Sequence, residues 1–228
     1  LREKNPSQYI AINDRYLNSL PAGDSRGPEP TEIKPWTTMD YGPMLTTTIE
    51  FGSDGRNIAQ KAIAIRLDEG PGGVARGSRW MVFEHDTLRM AAAWSDKFLD
   101  WNGIQFNGRH GVHLRANGDL HATNSTGPGW ANPASRSFDD TMRVEGRDKR
   151  KYGPLPESWG KFRGLYRYLD KVILSYTVGS TTVLEYPHSW DTPGVTTFVR
   201  TLNIGQRDTD LDMSVMELSD GAQLDVEA

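Results

Sequence analysis

The sequence predicts an all-β protein, and three observations lead to this prediction. After about residue 36 the apolar runs are short, rich in β-branched and aromatic residues, and separated by Gly, Asp and Asn, as in antiparallel strands. A parallel α/β sheet would need helical patterns between the strands, and none is visible. The 228 residues also suit one large sandwich. We therefore expect an antiparallel two-sheet sandwich, jelly-roll-like, with a short N-terminal helix and an extended arm.

Residues 1–35 are predicted to form the helix and the linker arm, and residues 36–228 the β-sandwich domain. Apolar side chains recur at helical spacing over residues 7–20, between Pro6 and Pro21. Residues 21–35 contain four prolines and two glycines and little to bury, as in a linker. We expect the apolar side of the helix to bind a partner protein through Tyr9, Ile12, Tyr16 and Leu20.

Ten strands are expected in the main domain, and two hairpins are the clearest. In residues 172–178 apolar residues alternate with others, and Gly179-Ser180 then supplies a two-residue turn into residues 181–186. A second hairpin is predicted around Glu84-His85-Asp86, although residues 88–94 also have helical propensity. The predicted strands are 45–51, 61–67, 80–83, 87–94, 119–123, 164–168, 172–178, 181–186, 196–203 and 212–219.

Composition excludes several classes of function. A net charge of -4, a pI near 5.8 and the lack of long basic runs argue against nucleic acid as a partner. No apolar stretch approaches the roughly 18 residues of a membrane span. The start at Leu1, without a signal-type apolar segment, predicts a processed or excised chain. Because the chain has no cysteine, it cannot form disulfides, thiolate metal sites or a covalent Cys-x-x-Cys-His haem attachment.

Residues 101–133 form the most site-like segment. They combine repeated Gly, Asn and Trp with three of the five histidines and show no sustained hydrophobic period. Loops of this composition carry function when a scaffold holds their polar groups together. A platform for a sugar ring could be present among five tryptophans, with Asn, Asp and Arg binding the hydroxyls, although tryptophans also fill sandwich cores: Trp94, Trp101, Trp130, Trp159 and Trp190. The predicted ligand-binding residues are Trp101, Asn107, Arg109, Trp130 and Asn132, with Trp130 expected to be exposed.

The histidines of this segment are candidate metal ligands. His110, His113 and His121 could bind a divalent metal, and no covalently attached cofactor is expected. On a strand, residues three apart face opposite ways, so His110 and His113 can share a metal only if Gly111 breaks the extended geometry. Two alternatives stay open: the histidines bind loop backbone, or they act in acid–base chemistry.

No catalytic signature is present. The chain lacks a G-x-S-x-G elbow, a defensible triad order and a clear pair of carboxylates for glycoside hydrolysis. The glycine-rich stretch 68–77 does not match a phosphate-binding loop and is predicted to be a flexible connection between strands. These observations favour a non-catalytic protein.

Five motifs resemble those of a known family: residues 39–43 (MDYGP), 108–113 (GRHGVH), 126–133 (TGPGWANP), 152–156 (YGPLP) and 174–179 (LSYTVG). The family consists of extracytoplasmic bacterial domains of unassigned function that often precede c-type cytochrome domains, and the resemblance spans most of the chain after about residue 36. It implies a periplasmic or extracellular location and an association with c-type cytochromes or other electron-transfer proteins. It identifies no catalytic residue.

Two hypotheses about function follow. The first is a non-catalytic extracytoplasmic binding or assembly domain associated with a periplasmic redox or cell-envelope protein. The second is a carbohydrate-binding module, or a carbohydrate-active enzyme on a jelly-roll scaffold, with or without a metal held by histidine.

Overall fold

The computed structural model describes residues 35–52, 56–101, 113–192, 195–218, 221 and 223–227. The predicted N-terminal helix, with Tyr9, Ile12, Tyr16 and Leu20, and the linker arm lie outside these residues. Within them the all-β prediction is confirmed, because the only helical elements are the 3-10 turns Pro35–Thr37 and Val74–Arg76. No helix of this part of the chain is long and apolar enough to cross a membrane.

The strands are β1 (Met44–Phe51), β2 (Asn57–Arg66), β3 (Arg79–Glu84), β4 (Arg89–Ser95), β5 (Leu99–Asp100), β6 (Leu114–Ala116), β7 (Asp119–Thr123), β8 (Val144–Glu145), β9 (Lys151–Tyr152), β10 (Gly160–Tyr168), β11 (Lys171–Val178), β12 (Thr181–Thr192), β13 (Val195–Ile204) and β14 (Glu217–Leu218). An eight-stranded sheet has the order β14-β7-β4-β3-β2-β1-β6-β5, and only its β1–β6 pair is parallel. A four-stranded antiparallel sheet has the order β10-β11-β12-β13. β8 and β9 form a small separate ribbon.

The eight-stranded sheet buries apolar side chains on both faces. In β3, Trp80 and Val82 belong to one core cluster, whereas Met81 and Phe83 belong to another. This is the two-residue alternation of an extended strand, and here neither face is left to solvent. The continuous apolar run of β3 and β4 follows from this double burial.

The second core cluster draws on both large sheets. From β11 it takes Val172, Leu174, Tyr176 and Val178, each at most 1% exposed, so the predicted apolar face of this hairpin is confirmed. The ring of Tyr176 stacks on that of Phe83 in β3, with centroids 5.5 Å apart. Gly179 adopts a φ of 56° in the turn to β12, a conformation that glycine reaches without steric cost.

The last predicted strand differs most from the structure. Of the predicted range 212–219 the structure describes residues 212–218, among which only Glu217–Leu218 forms a strand, and Met213 makes an isolated bridge to Trp130. At Ser214 and Val215, side-chain donors bind the backbone carbonyls that would pair with a neighbouring strand in a β-ladder. The amide of Asn124 donates to the carbonyls of Ser214 and Val215, and Arg200 donates to that of Val215. The short strands β5, β6, β8 and β9 were not predicted, because two or three residues carry too little pattern.

Candidate ligand-binding cleft

A cleft of about 430 Å³ lies beside the second half of β12. One wall is formed by the end of β2, the following loop and the start of β3, and the other by β12 and the turn between β10 and β11. Ligand sites in proteins have volumes of roughly 300–1,000 Å³, so the cleft suits a small ligand or part of a larger one.

The loop wall is held by a single arginine. Nη1 of Arg66 donates to the backbone carbonyls of Gly70, Pro71 and Gly73, at 2.9–3.2 Å. Its Nε and Nη2 donate to Oδ2 of Asp68. The glycine-rich loop is thus organised around the Arg66 guanidinium, and it forms a preorganised wall of the cleft.

Asp68 completes this arrangement. Its Oδ1 accepts hydrogen bonds from the backbone N–H groups of Ser78 and Arg79, at 2.8 and 3.1 Å. Burial alone would raise the pKa of Asp68, but the hydrogen bonds from Arg66, Ser78 and Arg79 outweigh it and lower the pKa below 3.8. The carboxylate is therefore charged at neutral pH and fully engaged by its neighbours.

The opposite wall is a strand with one free edge. The β11–β12 ladder ends at the pair Leu174–Glu185, so in the described residues β12 pairs only with β13 from Tyr186 onward. Strand alternation places Tyr186, His188 and Trp190 on one face. We call these three residues the aromatic row.

Only the last member of the aromatic row is an exposed residue. Tyr186 and His188 stack on each other with centroids 4.8 Å apart and an interplanar angle of 16°. The ring of Trp190 is rotated by 58° from that of His188 and is 53% exposed, whereas the other two residues are partly buried. Stacking thus occupies one face of each of the first two rings, whereas the indole of Trp190 is the most accessible of the three.

His188 is neutral at physiological pH. Burial, followed by the charge of Lys171, lowers the pKa of His188 below 6.5. Its Nε2 shares a hydrogen bond of 3.0 Å with Oγ1 of Thr201 on β13. A neutral imidazole can stack on Tyr186 without placing a second positive charge beside Lys171.

An ion pair joins the two walls next to Trp190. Arg79, at the start of β3, donates from Nη1 to Oδ1 of Asp191 on β12. Other polar groups of the cleft are uncommitted: within the described residues, the side chains of Glu69, Asp170 and Lys171 form no ion pair or hydrogen bond. Oγ of Ser189 is buried there without a hydrogen-bond partner among these residues. The cleft therefore combines an aromatic face with donors and acceptors available to a ligand.

The prediction that Trp130 is exposed is wrong, since this residue is only 2% exposed. Its ring packs against Tyr176 in the second core cluster. The flanking glycine explains this burial, because the N–H of Gly129 donates to the carbonyl of Thr87 and its carbonyl accepts from the N–H of Ser214. An irregular segment whose backbone groups are paired in this way can enter a core.

Of the other predicted ligand-binding residues, Trp101 and Asn132 do not line the cleft. Trp101 is partly buried and packs against the first core cluster. Asn132 is partly buried, and its Oδ1 accepts from the N–H of Ala134, as in a local turn. Asn107 and Arg109 lie outside the described residues.

The predicted metal ligands are only partly described. His121 shares a hydrogen bond of 2.7 Å with Oγ of Ser95 on β4, and its ring lies against that of Phe198. His113 is partly buried just before β6, and His110 lies outside the described residues. Among the residues that the structure describes, no group of three His, Cys, Asp or Glu could hold a metal. A site that includes His110 stays a prediction.

Sequence reasoning named Trp190 only as one of five tryptophans that could form a platform for a sugar ring, and it missed Tyr186 and His188. The signal was alternation. Tyr186, His188 and Trp190 share a face if the strand continues beyond residue 186. Because Pro187 indicates the end of a strand, the predicted strand stopped at residue 186. Pro187 lies on the part of β12 that β11 no longer pairs, where the missing N–H is tolerated.

Two buried polar networks are satisfied internally and are not candidate sites. Arg89, 1% exposed, donates to Glu84, to Oδ1 of Asn57 and to the carbonyl of Asn124. Glu185 accepts from Tyr176 and Arg200. These groups stabilise the two sheets and have no free side toward solvent.

Comparison with known proteins gives one match. A family model described as a domain of unknown function, DUF6797, matches residues 81–185, just under half of the chain. The matched segment runs from β3 into β12 and ends immediately before Tyr186, so the aromatic row lies outside it. No curated protein and no solved structure matches the chain.

Proposed function

We propose that this protein is a non-catalytic carbohydrate-binding domain whose ligand occupies the cleft and stacks on Trp190. The single observation that carries the proposal is the exposed indole of Trp190 within a cleft that also holds unpaired polar groups. Indole faces pack on the apolar faces of sugar rings, and hydroxyls require several donors and acceptors close by.

The surroundings of Trp190 support this choice of ligand. On β13, Thr197 lies opposite Trp190 and Thr201 lies opposite Tyr186, which places hydroxyl groups beside the aromatic row. Lys171, Glu69 and Asp170 add one donor and two acceptors at the edge of the cleft. A mixture of both charges with neutral hydroxyls suits a polyhydroxylated ligand better than a strongly charged one.

Binding is proposed instead of catalysis because the sequence carries no catalytic signature and two of the four carboxylates in the cleft are held by arginines. Asp68 is bound by Arg66, and Asp191 by Arg79. A catalytic acid or nucleophile must be available to the substrate. Fixed ion pairs suit a rigid wall instead.

We also infer that the two large sheets form a jelly-roll-like sandwich, because the second core cluster draws on both. The family resemblance supports a further proposal, that the domain works outside the cytoplasm beside c-type cytochromes or other electron-transfer proteins. Cell fractionation and co-purification followed by haem staining test that association. Recovery of the protein from the cytoplasm alone would contradict it.

The carbohydrate-binding proposal is tested on an array of cellulose, xylan, mannan and laminarin fragments, with affinities measured by calorimetry. We expect Trp190→Ala to weaken binding at least about tenfold, since it removes the stacking surface. The control is Tyr166→Ala, which removes a 63% exposed aromatic side chain of the same sheet that does not line the cleft. Near-UV circular dichroism confirms that both variants are folded. Absence of glycan binding, or equal effects of the two substitutions, would refute the proposal.

A further inference from the structure

We infer that the cleft prefers sugars that carry an N-acetyl group, an inference that rests on the carbohydrate-binding function proposed above. The observation behind it is the free edge of β12. This edge presents unpaired backbone groups to the cleft, and an acetamido group is the sugar substituent that forms hydrogen bonds as a peptide group does.

The backbone groups of β12 alternate in direction between its two neighbouring strands. The N–H of Gly205 donates to the carbonyl of Thr182, so the even-numbered residues of β12 point their backbone groups toward β13. The odd-numbered residues point theirs to the opposite side, where β11 pairs only as far as Glu185. Pro187 agrees with this alternation, because its missing N–H falls on the unpaired side, where it is tolerated.

The unpaired side of β12 faces the cleft. Lys171 and Val172 of β11 line the cleft, whereas none of the described residues of β13 does. The backbone N–H of Ser189 therefore points toward the cleft, and within the described part of the chain it has no hydrogen-bond partner. Oγ of Ser189 is also buried without a partner there. Ser189 thus holds two donors in the cleft that a ligand can pair.

An acetamido group suits this arrangement of donors. A trans amide points its carbonyl and its N–H in opposite directions, so it can bridge two walls as a peptide group bridges two strands. Its carbonyl can accept from the N–H of Ser189 on the β12 wall. Its N–H then points toward the loop wall, where the carboxylate of Glu69 is an uncommitted acceptor.

A hydroxyl group on the same sugar suits the edge less well. The side chain of Trp190 stands out from the face of the sheet, whereas the N–H of Ser189 lies in the plane of the sheet. A hydroxyl oxygen on a ring stacked on the indole stays close to that ring. The carbonyl oxygen of an acetamido group reaches further, toward the strand edge. The cleft should therefore distinguish sugars by this substituent.

The experiment compares three series of oligosaccharides of equal length by calorimetry. Chito-, cello- and glucosamine oligosaccharides differ only in the acetamido, hydroxyl or amino group at the second ring carbon. We expect the chito series to bind at least about tenfold more tightly than the cello series, because the amide adds two hydrogen bonds. The cello series should still bind through Trp190.

Two kinds of result would contradict this expectation. Equal affinities for the chito and cello series, or tightest binding of the glucosamine series, would overturn the inference and leave the carbohydrate-binding proposal standing. Absence of binding to all three series and to the glycan array would overturn both.

A variant tests the backbone donor directly. Ser189→Pro removes the N–H that points toward the cleft and leaves the pairing with β13 intact. His188 lies within β12 and is therefore already extended, as the residue before a proline must be. We expect the preference for the chito series to fall at least about threefold, while the affinity for the cello series stays within about twofold.

Ile204→Pro is the matched control. It removes an N–H that points away from β12, on the outer edge of β13, at a residue that does not line the cleft. This variant should keep the preference, and near-UV circular dichroism confirms that both variants are folded. An unchanged preference in folded Ser189→Pro, or an equal loss in both variants, would overturn the assignment of the acetamido group to the edge of β12.

Discussion

Nε of Arg200 donates a hydrogen bond of 2.6 Å to Oε1 of Glu185, a carboxylate with no exposed surface. The other carboxylate oxygen accepts from Oη of Tyr176 at 2.7 Å. Burial, followed by the charge of Glu185, raises the pKa of Tyr176 well above its ordinary value, so the phenol stays protonated and remains a donor. An ion pair inside a core is stable only while both of its charges are compensated.

The first prediction concerns this buried ion pair. Glu185→Gln removes the carboxylate charge and leaves the guanidinium of Arg200 buried without a counterion. We expect a loss of about 3–5 kcal/mol in the free energy of unfolding, measured by urea denaturation. The control is Glu145→Gln on the exposed β8–β9 ribbon, where solvent screens the pairs with Lys149 and Lys151. Equal effects of the two substitutions would contradict a structural role of the buried pair.

The second prediction concerns Asn124, which is 2% exposed and holds the segment around Ser214. Its Nδ2 donates to the carbonyls of Met90, Ser214 and Val215. Asn124→Ala leaves these acceptors short of a donor, and we expect a loss of about 1–3 kcal/mol in unfolding free energy. Amide hydrogen exchange should accelerate at residues 214–218. Asn203→Ala, at an exposed position of β13, is the control and should change neither quantity.

The third prediction concerns Gly129. A Cβ at this position would lie 2.1 Å from the carbonyl oxygen of Leu88 and 2.7 Å from Cα of Arg89, both backbone atoms that cannot move aside locally. Gly129→Ala should therefore push the segment around Gly129 away from the β3–β4 turn and lower the free energy of unfolding by about 1–3 kcal/mol. Thermal denaturation measures this effect, with Ser135→Ala in an exposed part of the same segment as reference. An unchanged melting temperature would show that the two backbones are not in contact.

The fourth prediction concerns the pH dependence due to His188. The pKa of His188 in the folded protein is below the ordinary value of 6.5. At a pH between the folded-state pKa and 6.5, the unfolded chain therefore binds more protons than the folded one. The stabilising contribution of the neutral ring is complete above pH 6.5 and is lost as the pH falls below it. Urea denaturation from about pH 8 to about pH 5 measures this loss. His188→Phe keeps an aromatic ring without the titration, so its stability should fall less; an equal fall would contradict the prediction.

One strand whose burial is asymmetric, β11, shows how alternation predicts a strand. The β11 hairpin followed directly from the alternation between Val172 and Val178, because one face is buried and a glycine marks the turn. Residues 212–216 could not be predicted in the same way. Their backbone groups pair with residues 129–131 and with the side chains of Asn124 and Arg200, all distant in sequence, and the local pattern carries no information about such partners.

The two tryptophans Trp130 and Trp190 show why the site was harder to predict than the fold. Trp130 lies among Gly, Pro and Asn, a composition that indicates an exposed loop, yet backbone pairing of Gly129 carries it into the core. Trp190 follows Pro187, which indicates the end of a strand, yet it lies on one that continues to Thr192. Composition predicts whether a segment tends to form a loop or a strand. The exposure of an aromatic side chain in that segment depends instead on which residues pair with the segment's backbone.

The segment around Ser214 and Val215 also has a consequence for biosynthesis. It is held by Asn124, which follows one sheet, and by Arg200, which belongs to the other, and β14 then becomes an edge strand beside β7. During translation, residues up to about 204 can form their hairpins in turn as they leave the ribosome. The last part of the interior must stay open to water until residue 218 has emerged, so this domain can close only after β14 has left the ribosome.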